Sequence, residues 1–97
     1  MPPERLSDIE IQRELGSLTG WARKGNAIQK TFVFPDFPAG IAWVDRVAVQ
    51  AESMEHHPDL DIRYTRITAT LSTHEASGIS ERDFVLARAM DRLLGHG

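Results

Sequence analysis

The sequence predicts an α+β fold, a two-layer sandwich with helices packed on one face of a mostly antiparallel sheet. Three observations carry this. Apolar residues recur at helical spacing from about Pro38 to His57 and again after Ser80. Apolar and aromatic residues alternate from Ile28 to Phe34. A Gly25-Asn26 turn stands just before that alternating run. Strands joined by so tight a turn run antiparallel, and helices interleaved with such strands cover one sheet face. The other face must be solvated or covered by another subunit.

The elements follow in order. Ser7 can cap a first helix from Asp8 to about Leu18, with Ile9, Leu15 and Leu18 as its apolar residues and Gly16 and Gly20 weakening its end. Trp21–Arg23 and Ile28–Phe34 form the arms of a hairpin, with Ile28, Lys30, Phe32 and Phe34 on one face. Pro35 and Pro38 stop the second arm. In the long helix that follows, Trp43, Val44, Val47, Ala48, Ala51 and Met54 make an inward stripe, Asp45, Glu52 and His56 lie opposite, and His57 falls near the stripe's edge. Pro58 disfavours helical geometry at the residue before it, so the helix is expected to end at His57. Ile62–Thr73 reads as one long strand or two with a bend; in an extended chain Ile62, Tyr64, Ser72 and His74 share one parity. Gly78 breaks the chain. Ser80-Glu81-Arg82-Asp83 has the spacing of a capping box and opens a last helix to about Leu94, with Leu86, Ala87, Met90, Leu93 and Leu94 inward.

Ninety-seven residues make a single domain, 1–97, with no repeat and no internal linker. A core this small gains stability from self-association, and Phe32, Ile62 and Tyr64 are candidates for a homo-oligomer surface. The net charge of −3 argues against direct nucleic-acid binding, which draws on clustered Lys and Arg. Without cysteine there is no disulfide, thiolate metal site or Cys nucleophile. The N-terminal residues lack the apolar run of a secretory signal, and no stretch has transmembrane length. The expectation is a cytoplasmic protein without membrane contact.

Three of the four histidines, His56, His57 and His74, fall in one short window. Imidazoles are the commonest side chains for moving protons near neutral pH. The bland alternative for His56-His57 is a helix C-terminus that favours cationic side chains. Glu52 stands one turn before His56, as a surface ion pair or as a carboxylate that orients the ring. His74 ends a strand, where a lone histidine is usually an exposed loop residue. Asp83 caps its helix and also lies in line with the apolar stripe, so it can point inward. Adjacent histidines are a poor metal-ligand spacing, since helical sites use i,i+3 or i,i+4 pairs, and no metal is expected. Phosphate loops, nucleophile elbows and dinucleotide fingerprints are absent. His96, beside two glycines in the tail, carries no expectation.

From about Leu15 onward the chain resembles the pterin-4a-carbinolamine dehydratases. Their pattern is carried by Glu52, His56-His57-Pro58, Tyr64, His74 and Asp83. The phrases Leu71-Ser72-Thr73-His74-Glu75 and Gly78-Ile79-Ser80-Glu81-Arg82-Asp83 also resemble it, as do Gly20-Trp21, Ile28–Phe34, Asp36-Phe37 and Val47-Ala48. The resemblance implies a four-stranded antiparallel sheet with helices on one side, splitting Ile62–Thr73 into two strands, and a homodimer or homotetramer. It implies a hydro-lyase that dehydrates 4a-hydroxytetrahydropterin to quinonoid dihydropterin, recycling the pterin of aromatic amino acid hydroxylases without a cofactor. His56 and His74 would serve as acid and base. His57 would mainly hold the pterin, and Glu52 would orient a histidine or bind substrate. Asp83 would support His74 or the pterin, and Ser72 and Thr73 would lie at the substrate. Many members carry Trp where this chain has Leu60. Mammalian relatives also act as dimerisation cofactors for a transcription factor, so a protein partner, with or without catalysis, is the alternative expectation, as is another pterin-handling role.

Overall fold

The computed structural model describes residues 3–95, so His96 lies outside it. Its elements run α1 (Asp8–Leu15), β1 (Ala22–Lys24), β2 (Ala27–Val33), α2 (Phe37–Met54), β3 (Asp59–Arg63), β4 (Arg66–Leu71) and α3 (Glu81–Arg92). Short 3-10 turns follow β4 at His74–Ala76 and α3 at Leu93–Gly95. The strands form one antiparallel sheet in the order β1-β2-β4-β3. This is the expected α+β sandwich.

The local chemistry explains the boundaries. Ser7 and Glu10 close a capping box on α1, with Ser7 N–H donating to Glu10 at 2.9 Å and Glu10 N–H to Ser7 Oγ at 3.2 Å. The helix stops at Leu15, short of the expected Leu18, because Gly16 caps it and the chain turns through Ser17 and Leu18. Asp36 caps α2 by accepting from Ala39 N–H, and Pro38 sits in the first turn, where a missing N–H costs nothing. Ser80 and Asp83 form the box expected on α3.

Ile62–Thr73 is two strands. Ile62 pairs with Ile67 and Arg63 with Arg66 across a turn at Tyr64-Thr65, with Tyr64 in the left-handed region at φ 55°. The turn cancels the shared parity of Ile62 and Ser72. Ile62 falls on the face of Ile67, and Ser72 continues the opposite face of Thr68 and Thr70.

The core lies between the sheet and the helices. Ile28, Phe32, Ile67, Ala69 and Leu71 meet Trp43, Val47 and Ala51 of α2 and Phe84, Leu86, Ala87 and Met90 of α3. Trp43 packs at 4.4 Å from the Phe32 ring centroid and 5.3 Å from that of Phe34, and its indole N–H donates to the Met90 carbonyl. Phe32 is thus a core residue rather than part of an oligomer surface, whereas Ile62 and Tyr64 are exposed. Ala48 and Leu94, expected inward, are exposed, and Val44 and Leu93 are only partly buried. Gly40 permits close approach of α2 to the sheet: a Cβ there would lie 3.1 Å from Ile67 Cδ1. Lys30, on the inward face of β2, ion-pairs with Asp91 at 2.8 Å, and Trp21 Nε1 donates to the same carboxylate at 3.0 Å. The opposite sheet face is polar, with Thr31 bonded to Thr68 and Gln29 to Thr70.

Candidate functional site

The site is built where α2 ends. Glu55, not His57, terminates the helix, adopting a left-handed conformation at φ 53° and ψ 39°. Its N–H and that of His56 bond back to the carbonyls of the last helical turn, Glu55 to Glu52 and His56 to Ala51, each at 3.1 Å. The paired histidines therefore stand beyond the helix, and helical spacing does not govern their directions. His56 turns into the protein and is 7% exposed, while the His57 side chain stays 63% exposed.

His56 meets Asp83, in the first turn of α3, with 2.6 Å between Nε2 and Oδ1. Asp83 is fully buried, and its second oxygen accepts from Thr73 Oγ1 at 2.9 Å and from Ser80 N–H at 3.0 Å. The Thr73 and Ser80 hydroxyls touch at 2.6 Å. Among the described residues, no buried side-chain polar atom lacks a partner. His56 makes one side-chain hydrogen bond, through Nε2. Its Nδ1 therefore reaches the surface, and what remains exposed of this ring includes a nitrogen without a partner among the described residues.

Glu52 bonds His57, not His56, at 2.8 Å. The left-handed turn at Glu55 carries His56 away from the α2 surface and leaves His57 next to the carboxylate. Both residues are exposed, so this is a screened surface pair. They edge a cleft of about 230 Å³, otherwise apolar, that includes Val44, Ala48, Pro58 and Leu60. Leu60 thus lines the cleft at the position where the resemblance led us to expect Trp. A larger groove of about 510 Å³ lies by the N-terminal residues Arg5, Ser7 and Asp8 and contains no histidine.

Asp83 supports His56 rather than His74. His74 is exposed, on a short loop clasped at its base by Thr73 N–H to Gly78 O at 2.7 Å and Gly78 N–H to Thr73 O at 3.3 Å. Ser72 is exposed beside it, whereas Thr73 is buried with its hydroxyl turned to Asp83 and Ser80. The structure thus joins His56, Asp83 and Thr73 directly, pairs His57 with Glu52, and leaves His74 and Ser72 without a side-chain bond to either group. Ser80, which the sequence marks only as a helix cap, also joins this buried group. The capping box was the available signal, since the residue that caps α3 also reaches the carboxylate at its third position.

Residues 4–93 match the family described as pterin 4 alpha carbinolamine dehydratase. The chain belongs to that family. Relatives named "Putative pterin-4-alpha-carbinolamine dehydratase" are 52% identical in Roseiflexus sp. (strain RS-1), over 93% of this chain and 97% of the relative. One of the same name in Nocardia farcinica is 50% identical over 96% of this chain and 98% of its own length. A crystal structure from Brucella melitensis, described as a transcriptional coactivator/pterin dehydratase, superposes with a TM-score of 0.92 at 34% identity, covering 95% of this chain and all of that one. A pterin dehydratase-like protein described as a RuBisCO assembly factor in the alpha-carboxysome shares the fold, with a TM-score of 0.65 at 23% identity over 79% of this chain and 89% of that one. In the dehydratase family, then, this member presents one buried carboxylate–imidazole pair and one exposed one.

Proposed function

We propose that this chain is a hydro-lyase that converts 4a-hydroxytetrahydropterin to quinonoid dihydropterin and so serves tetrahydropterin recycling. The observation that carries this is the buried His56–Asp83 pair with Nδ1 of His56 left to the surface. An imidazole aimed by a carboxylate through one nitrogen offers the other for proton transfer.

The reaction needs two proton movements and no electron transfer. A proton reaches the 4a-hydroxyl oxygen, the C4a–O bond breaks and water leaves. The N5 proton passes to a base, and its electron pair forms the C4a=N5 double bond. His56 and His74 divide these tasks as acid and base. Each such group contributes a rate factor of about 10²–10⁴. His57, held by Glu52 at the apolar cleft, supports the pterin, and Leu60 forms part of that wall. Ser72, exposed beside His74, lies at the substrate. Thr73 contributes through its backbone and through Asp83, because its hydroxyl is already engaged. The working form is a cytoplasmic homodimer or homotetramer.

A second reading, binding of a protein partner without catalysis, draws on the coactivator description of the Brucella structure and on the exposed Val49 of α2. The buried pair would serve the fold of an adaptor as well, but an adaptor has no need of a histidine held with its second nitrogen toward the surface, so the enzyme is favoured. The test is dehydration of 4a-hydroxytetrahydropterin generated in situ, followed by absorbance. Acceleration by this protein that disappears in the His56→Ala/His74→Ala double variant supports the proposal.

A further inference from the structure

The hydroxyls of Thr73 and Ser80 form a chain whose direction follows from simple valence. Arg82 N–H donates to Ser80 Oγ at 3.2 Å, and a backbone N–H can only donate. Thr73 Oγ1 lies 2.9 Å from Asp83 Oδ2, which also accepts from Ser80 N–H. A carboxylate accepts only, so Thr73 spends its single proton there. The 2.6 Å contact between the two hydroxyls then requires Ser80 to donate and Thr73 to accept. Every bond points the same way: Arg82 N–H to Ser80, Ser80 to Thr73, Thr73 to Asp83. The last proton, between Asp83 Oδ1 and His56 Nε2, lies on the imidazole, because a carboxylate that accepts from Thr73 and from Ser80 N–H has no proton to give.

Thr73 also stands between both halves of the site. Its backbone clasps the loop that carries His74, and its side chain loads the carboxylate that holds His56. Thr73 and Ser80 are both fully buried, so neither hydroxyl can meet a ligand in this arrangement. We infer that Thr73, assisted by Ser80, is a positioning residue: its hydroxyl fixes Asp83 as an acceptor toward His56 and thereby sets His56 as the tautomer with hydrogen on Nε2 and a lone pair on Nδ1. With Oδ2 held by Thr73 and by Ser80 N–H, Oδ1 is turned to the ring; without the hydroxyl the carboxylate is free to rotate and the bond at the ring loosens.

The tautomer stands on geometry alone, while its catalytic consequence rests on the dehydratase reading. The test uses the full chain with ¹⁵N-labelled histidine, at a pH where titration shows the His56 ring to be neutral. Wild type shows the Nε2–H pattern of ring ¹⁵N shifts. Thr73→Val keeps the β-branched shape and the backbone clasp but loses the hydroxyl. It moves the His56 shifts toward a tautomer mixture, lowers kcat about tenfold or more and leaves KM within about twofold. Thr73→Ser restores both. Ser80→Gly removes only the outer link, at a small cost to the helix cap, and shifts the ring signals less; it decides the matter if Thr73→Val does not fold. An Nδ1–H pattern in wild type overturns the inference, as does a folded Thr73→Val, or Ser80→Gly in its place, with unchanged ring signals. If wild type fails to dehydrate the pterin, the function falls and the ring signals alone judge the tautomer.

Discussion

His56 and Asp83 are 27 residues apart in the chain and 2.6 Å apart in space, joined by a bond buried on both sides. The two ends of this bond are made by different devices. A left-handed residue after α2 turns His56 inward, and the capping box of α3 holds Asp83. The pair ties the end of one helix to the start of another, so it is a structural joint as well as the centre of the proposed site.

Asp83→Asn separates these two roles. The amide keeps the shape and one acceptor but cannot replace a carboxylate with three donors around it. The expected result is a loss of about 10²-fold or more in kcat, with stability reduced by about 1.5–3 kcal/mol through weakened charge-assisted bonds. Urea unfolding and steady-state kinetics on the same sample check both. Asp83→Ala, which strands three buried donors, should cost more, about 3–5 kcal/mol.

The exposed pair should behave differently. Glu52 and His57 have side chains 80% and 63% exposed, so Glu52→Gln should change stability by less than about 1 kcal/mol. Its effect should appear in binding: a KM raised severalfold with kcat within about twofold, the pattern of a lost ground-state contact. A drop in kcat with KM unchanged would move Glu52 into the proton-transfer machinery.

Glu55 pays the cost of a left-handed backbone without being glycine. Such a conformation is unfavourable by about 1–2 kcal/mol for an L side chain, partly offset by the extra freedom glycine has when unfolded. Glu55→Gly should therefore raise stability, by up to about 1 kcal/mol, and Glu55→Val should lower it. Urea midpoints give the answer, and a lower midpoint for Glu55→Gly would contradict the strain reading.

These residues also show how far the sequence could be read. Ser7, the Gly25-Asn26 turn and the Ser80–Asp83 box announced their elements, because each residue type has its own local chemistry. The alternation of Ile28, Phe32 and Phe34 placed one sheet face correctly. Glu55 and Tyr64 were the failures. Both are left-handed at residue types that seldom adopt it, so neither the early end of α2 nor the turn between β3 and β4 had a composition signal. The first of these changed the pairing: Glu52 meets His57 rather than His56, and Asp83 meets His56 rather than His74. The motif residues were legible as a set, but their pairing depended on one backbone conformation.

Acid stability offers an independent check at the other end of the chain. The backbone N–H of Ser7, chiefly, and then its hydroxyl hold the Glu10 carboxyl below its ordinary value. A lowered folded-state value contributes stability that is present above the unfolded glutamate range and lost as pH falls through the folded value. The stability difference between wild type and Glu10→Gln should thus be seen at neutral pH and shrink as the pH drops below the ordinary glutamate range. Urea midpoints across that interval test it; a constant difference would remove the charge from the cap's action.

The most direct measurement is the rate of 4a-hydroxytetrahydropterin dehydration, with substrate generated in situ by a hydroxylase and followed by absorbance. The prediction is clear acceleration by the wild-type protein and none by a folded His56→Ala/His74→Ala variant. No acceleration by folded wild type, or full activity in the double variant, would contradict it.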